Sequence, residues 1–171
     1  MKETENLWKE AHILLNAYEW RMLLPADVFL DRFHPYARES KAVSRLLSGA
    51  CQIWLMAVTL GGALEQRSRE YFAQNRSFHG FILDRMGSFL VEEKMRELDG
   101  KITRECADNG DSATRRYSPG YQDFSLEAQR VFIELIGTDI PDLALTTGFL
   151  LKPEKTITAL KGVLRADPAG A

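Results

Sequence analysis

QIWLMAVTL, residues Gln52 to Leu60, is apolar on both alternating faces and stops at Gly61-Gly62. A half-exposed strand alternates polar and apolar side chains, whereas a run that is apolar at both parities reads as a central strand covered on both sides. The rest of the chain is organised around this strand.

On its N-terminal side, residues 1–50 read as helical. Leu7, Ala11, Leu14, Leu15 and Tyr18 share one helical face. Pro25 suits the first turn of a second helix carrying Val28, Phe29 and Phe33. His34-Pro35 interrupts that helix, because a residue before proline is pushed out of the α region. A further helix through Val43, Leu46 and Leu47 ends near Gly49.

On the C-terminal side, two helices are expected. The first places Leu64, Ser68, Tyr71, Phe72 and Asn75 on one face, and the second runs roughly from Phe81 to Cys106 with Ile82, Met86, Phe89, Leu90, Met95, Leu98 and Ile102 inward. Gly87-Ser88 interrupts the second pattern, where glycine costs about 1 kcal/mol relative to alanine. That cost suits a helix held close to a neighbouring backbone or a ligand. Asp108 to Pro119 lacks an apolar period and reads as a surface loop. Ser125 can cap the next helix, which buries Ala128, Phe132, Leu135 and Ile136 and stops at Gly137. Beyond Pro141, Leu143 to Leu151 and Thr156 to Leu164 read as strands joined hairpin-fashion by Lys152-Pro153-Glu154-Lys155. The order of elements predicts an α+β fold with a mostly antiparallel sheet. It reads as one domain over residues 1–171: a helical N-terminal region to residue 50, a core from 51 to 164, and a frayed tail over 165–171. Trp54 and Phe89 are expected in the core.

Of the 171 residues, 45% are hydrophobic and 27% charged, which is a globular composition. A net charge of -2 gives no electrostatic attraction for nucleic acid or an anionic membrane. No apolar stretch reaches the roughly 18 residues of a membrane span. Met1 to Glu10 is too polar for a secretory leader, so the cytosol is the default location. Cys51 and Cys106 match no metal or redox spacing and read as buried free thiols. His12, His34 and His79 are scattered, so no metal site is expected.

One loop carries chemistry. Arg115-Arg116-Tyr117-Ser118-Pro119-Gly120-Tyr121 places a cation, a turn and a phenol within a few residues. Pro119-Gly120 is the dipeptide of a type II turn, and a backbone without Cβ at Gly120 can lie against a ligand. Arg116 offers a donor fork for a carboxylate, and Tyr121 a flat face with a polar tip. The pattern fits an amino-acid-like or nucleoside ligand. The plain alternatives are a solvated arginine, a turn glycine and a core tyrosine.

The skeleton Arg116-x-x-x-Gly120-Tyr121 resembles the activation domain of cobalamin-dependent methionine synthase. The resemblance is closer to small stand-alone relatives of that domain, whose loop reads approximately RxSPGYxDxxL; here the matching residues are Arg116, Ser118, Pro119, Gly120, Tyr121, Asp123 and Leu126. Ala57-Val58-Thr59-Leu60-Gly61 resembles the family's strand ending in TLG. Asp84-Arg85-Met86-Gly87-Ser88 with Glu92 resembles its DxxGS…E helix, and Leu145-Thr146 with Lys152 to Thr156 its last matching segment. The likeness runs from about Val58 to Gly162. The chain departs from the family at Thr147 to Leu151, where an acidic residue, serine and methionines are common. It also ends soon after its last strand.

The resemblance implies S-adenosylmethionine as ligand, with Arg116 on the methionine carboxylate or nearby polar groups, Gly120 at the nucleoside, and Tyr121 facing the adenosyl group or the cobalamin. Ser118 and Pro119 would shape the loop. Glu92 would take a ribose hydroxyl or be a plain helix carboxylate, and Thr146 is a further contact of the same standing. It implies reductive methylation of cob(II)alamin, with cobalamin supplied by a separate corrinoid-bearing methyltransferase and an electron from a flavodoxin- or ferredoxin-like donor. In such a reaction cobalt is the nucleophile, so the protein orients the methyl and excludes water instead of supplying a base. The alternative is a non-catalytic docking or scaffold subunit for a corrinoid protein.

Overall fold

In the computed structural model, which describes residues 2–166, the Gln52–Thr59 run is a central strand of a four-stranded antiparallel sheet. Every residue from Ile53 to Thr59 is buried. Trp54, Met56, Val58 and Leu60 share a core with Leu7, Leu64, Leu83 and Met95. Ile53, Leu55 and Ala57 share another with Phe29, Phe33, Phe124 and Phe132. The two parities of one strand thus feed two cores, one on each face. Each fully buried side chain of this size contributes roughly 1.5–3 kcal/mol. The α+β expectation is met.

In chain order the elements are α1 (Lys2–Ile13), β1 (Tyr18–Pro25), α2 (Ala26–Arg32), α3 (Tyr36–Glu39), α4 (Lys41–Leu46), β2 (Gln52–Thr59), α5 (Ala63–Ala73), α6 (Ser77–Asp108), β3 (Ser112–Ala113), a 3-10 turn (Leu126–Ala128), α7 (Gln129–Ile136), β4 (Ala144–Leu145), β5 (Leu151–Lys152) and β6 (Thr156–Leu164). The sheet order is β1-β2-β6-β3. The part of the expected frayed tail over residues 167–171 lies outside the described residues.

The first fifty residues are not all helical. Tyr18, expected on the face of α1, instead begins β1, which pairs with β2 from Tyr18↔Thr59 to Pro25↔Gln52. The segment YEWRMLLP contains good helix formers, but the open edge of β2 offers a full ladder of hydrogen bonds and an apolar face for Trp20. Such pairing overrides a weak local preference.

Helix α6 has 32 residues and begins earlier than the periodicity suggested. Leu90, Met95, Leu98 and Ile102 are inward as expected, but Phe89 is 50% exposed, its ring 6.0 Å from that of Trp8. Phe72 is also exposed, and Asn75 lies past the end of α5 with a φ of 59°. Two further expectations are corrected. Leu143 to Leu151 is not one strand but two short ones, β4 and β5, paired with each other, while β6 pairs with β2. Lys152 to Lys155 is therefore a crossover between sheets, not a hairpin turn. Within Asp108 to Pro119, β3 and an isolated bridge between Tyr117 and Leu160 attach the expected surface loop to the free side of β6.

Candidate functional site

The Tyr117–Leu160 bridge fixes where the Arg116–Tyr121 loop begins. Both backbone bonds are made, Tyr117 N to Leu160 O at 2.9 Å and Leu160 N to Tyr117 O at 2.8 Å. Ser118 to Tyr121 then turns sharply. Pro119 occupies the second position, Gly120 has a φ of 91°, and Tyr121 N donates to Ser118 O at 3.4 Å. This is the geometry of a type II turn, which calls for glycine third. A Cβ at Gly120 would also lie 3.1 Å from Leu126 Cδ1. Gly120 N donates to Phe124 O, and the Tyr117 hydroxyl donates to Tyr121 O. Burial raises the Tyr117 pKa, so the phenol stays protonated as a donor.

Behind the turn, Asp123 reaches the start of α4. Its carboxylate accepts from Ser40 Oγ at 2.7 Å, Lys41 N at 2.8 Å and Ala42 N at 3.2 Å. Ser40 itself caps the helix by accepting from Val43 N. The bond from Ser40, followed by those from the backbone, lowers the Asp123 pKa.

In front of the turn lies a cleft of about 540 Å³. Its walls come from α6 (Glu92), the loop (Arg115 to Pro119, Tyr121 and Gln122), the first residue of α7 (Gln129), β5 (Leu151) and the start of β6 (Thr156 to Thr158). Arg116 forms an ion pair with Glu92 across the cleft. Both side chains are partly exposed, so this pair holds with no more than about 1 kcal/mol and can yield to a ligand carboxylate. A depression of about 630 Å³ beside Trp8 is larger, but it is bounded by side chains of only α1 and α6 and gathers no comparable polar set.

The structure thus brings Arg116, Ser118, Pro119, Tyr121 and Glu92 to one cleft, with Gly120 at the turn behind it. Tyr121 is 66% exposed, not a core tyrosine. Arg115 is exposed, its guanidinium 5.9 Å over the Tyr117 ring. Thr146 lies apart. Its hydroxyl accepts from Leu150 N inside the β4–β5 turn, and it lines a neighbouring hollow of about 360 Å³. That hollow shares Gln129, Leu151 and Thr156 with the cleft. These three residues, with Ile157 and Thr158, were not anticipated as site residues. The available signal was polar residues at buried positions: Gln129 on the apolar face of α7, and Thr156 and Thr158 on the same side of β6 as Leu160.

The DxxGS pattern has a structural occupation. Lys155, almost fully buried, donates to Ser88 Oγ at 3.0 Å and lies 2.6 Å from Asp84. A Cβ at Gly87 would come within 2.9 Å of Leu64 Cδ2 and 3.2 Å of Lys155 Cε. Asp84, Gly87 and Ser88 therefore seat a lysine that ties α6 to the beginning of β6. Burial raises the thiol pKa of Cys106, whereas Cys51 is only half-buried, contrary to expectation. Among the described residues no group of three or more histidine, cysteine or acidic side chains is placed to hold a metal ion, and no helix is long and apolar enough to cross a membrane.

Neither known family profiles nor curated protein sequences match this chain. The fold, however, is shared with a solved structure, the crystal structure of the MetH reactivation domain bound to AdoHcy. The TM-score is 0.68 with 16% sequence identity, and the match covers 99% of this chain and 68% of that one. At that identity the shared property is the architecture. The chain is of the α+β class and shares its architecture with that solved domain.

Proposed function

We propose that this chain binds S-adenosylmethionine in the Arg116–Tyr121 cleft and supports reductive methylation of cob(II)alamin on a separate corrinoid methyltransferase such as methionine synthase. The observation that carries the proposal is the convergence of Arg116, Glu92 and Tyr121 on one cleft beside the Gly120 turn. The shared architecture supports it, because the MetH domain of the same fold is bound to AdoHcy. The donor set fits an amino acid joined to a nucleoside. A guanidinium suits the carboxylate, Glu92 suits a ribose hydroxyl, and an exposed phenol ring offers a flat face. The volume falls within the range of small-molecule sites.

The chemistry supplied from outside is a sulfonium methyl, one electron from a flavodoxin- or ferredoxin-like donor, and the partner's cobalt; the C–S bond breaks, the Co–C bond forms and S-adenosylhomocysteine leaves. This chain's residues bind and orient. Arg116 exchanges Glu92 for the ligand carboxylate, Gly120 lets the turn backbone approach the nucleoside, and Asp123 keeps the turn from swinging away. No side chain is asked to move a proton. The chain acts as a single cytoplasmic domain.

Calorimetry with S-adenosylmethionine tests the reading. Arg116→Ala should weaken binding about 10- to 100-fold, the loss expected for a charge-assisted hydrogen bond. Equal binding by wild type and variant, or none by either, removes its basis. Methylcobalamin formation on an added corrinoid protein under reducing conditions separates it from a docking subunit, which would bind that protein without methyl transfer.

A further inference from the structure

Gln129 is 5% exposed, yet it faces the junction of the main cleft and the neighbouring hollow. Its side-chain oxygen is already taken: Thr158 Oγ1 donates to Gln129 Oε1 at 2.6 Å, and Thr158 is itself 1% exposed. Its Nε2, in contrast, has no hydrogen-bond partner among the described residues and is not enclosed by protein. A buried amide that spends its acceptor on the protein and turns its amino group to a cleft is a donor set in advance. The surroundings say what it meets. The charged pair Arg116–Glu92 lies on the α6 side of the cleft, while Leu151 and Thr156, the residues that line both the cleft and the hollow together with Gln129, are uncharged; Lys152 and Glu154 line only the hollow. A charged carboxylate belongs at the guanidinium, and a neutral acceptor on an otherwise apolar ring belongs at the amide.

We infer that Gln129, oriented by Thr158, donates to a ring nitrogen of a purine and fixes the adenine end of the ligand. The inference rests on the proposed S-adenosylmethionine site and adds to it a reader of the base. An amide with both ends free could grip adenine through its amino group and a neighbouring ring nitrogen together. Here only the donor half is available, so the ring nitrogen is what is read.

The test is calorimetry with S-adenosylhomocysteine and its three deaza analogues, in each of which a CH replaces one acceptor nitrogen of the adenine. Wild type should lose on the order of threefold to tenfold with one analogue and not with the others. In the double variant Gln129→Leu with Thr158→Val, which leaves no buried hydroxyl without a partner, that discrimination should vanish. Gln129→Glu, which turns an acceptor to the same place, should bind the parent ligand more weakly than the double variant does. Thermal unfolding of each variant shows whether it is folded, and the comparison among analogues is internal to each protein. Undiminished discrimination in the folded double variant overturns the inference while the binding site stands. Coupling to the exocyclic amino group, seen with the purine analogue lacking it, overturns the donor assignment. Failure of the wild type to bind S-adenosylhomocysteine at all overturns the proposed site and this inference with it.

Discussion

Asp123 serves the cleft without entering it. Its three accepted hydrogen bonds join the loop to the first turn of α4, more than eighty residues away in sequence. Because those bonds favour the carboxylate, the folded pKa lies below that of the unfolded chain, about 3.9. The stability it contributes is therefore complete above that value and is lost as pH falls through the lower, folded one. Urea midpoints of wild type and Asp123→Asn should differ most near about pH 7 and converge below about pH 4. A gap that persists undiminished in acid would show that the carboxylate's charge is not what matters. The residues of the site were unequally visible beforehand. Arg116, Gly120 and Tyr121 announced themselves because cation, turn and phenol are local in sequence. Gln129 did not, because its meaning depends on Thr158, 29 positions away on a strand that pairs with β2 and not with the neighbouring segment in sequence.

At the level of elements, the contact of α5, α6 and β6 turns on the missing side chain of Gly87. Leu64 and Lys155 already occupy the space a Cβ would need. Gly87→Val should destabilise the protein by about 1–3 kcal/mol, the usual result of overpacking, even though glycine is itself a poor helix former. The readout is the urea midpoint, and a rise would mean that the helices are free to part. Such contacts explain which elements could be read in advance. β2 was legible because burial on both faces leaves an unbroken apolar run. β1 was not, since Glu19, Arg21, Met22 and Leu23 suit a helix equally well and only the edge of β2 decides between the two. β4 and β5 have two residues each, too few for any period to show.

At the scale of the whole molecule, the cleft draws on the middle and the C-terminal part of the chain and is braced by the first fifty residues through Ser40 and Asp123. A ligand held there should stabilise the whole fold. If the proposed site holds it, S-adenosylhomocysteine at about a hundred times its Kd should add about 2.7 kcal/mol, or roughly 5–10 °C in Tm for a chain of this size. The shift should shrink sharply in Arg116→Ala at the same concentration, and an equal shift in both proteins would place the ligand elsewhere. The arrangement of the sheet also bears on how the protein behaves in a crowded solution. The most apolar strand, β2, is flanked on both sides, so its hydrogen-bonding groups are never offered to another chain. At the two ends of the sheet order stand β3, only two residues long, and β1, which carries Pro25 and sets Glu19 and Arg21 against Lys101 and Glu105. Short, charged or proline-bearing borders are poor templates for strand addition. Colloidal stability is thus built into the segment least expected to be a strand: without β1, the stretch that organises the fold would become its most adhesive surface.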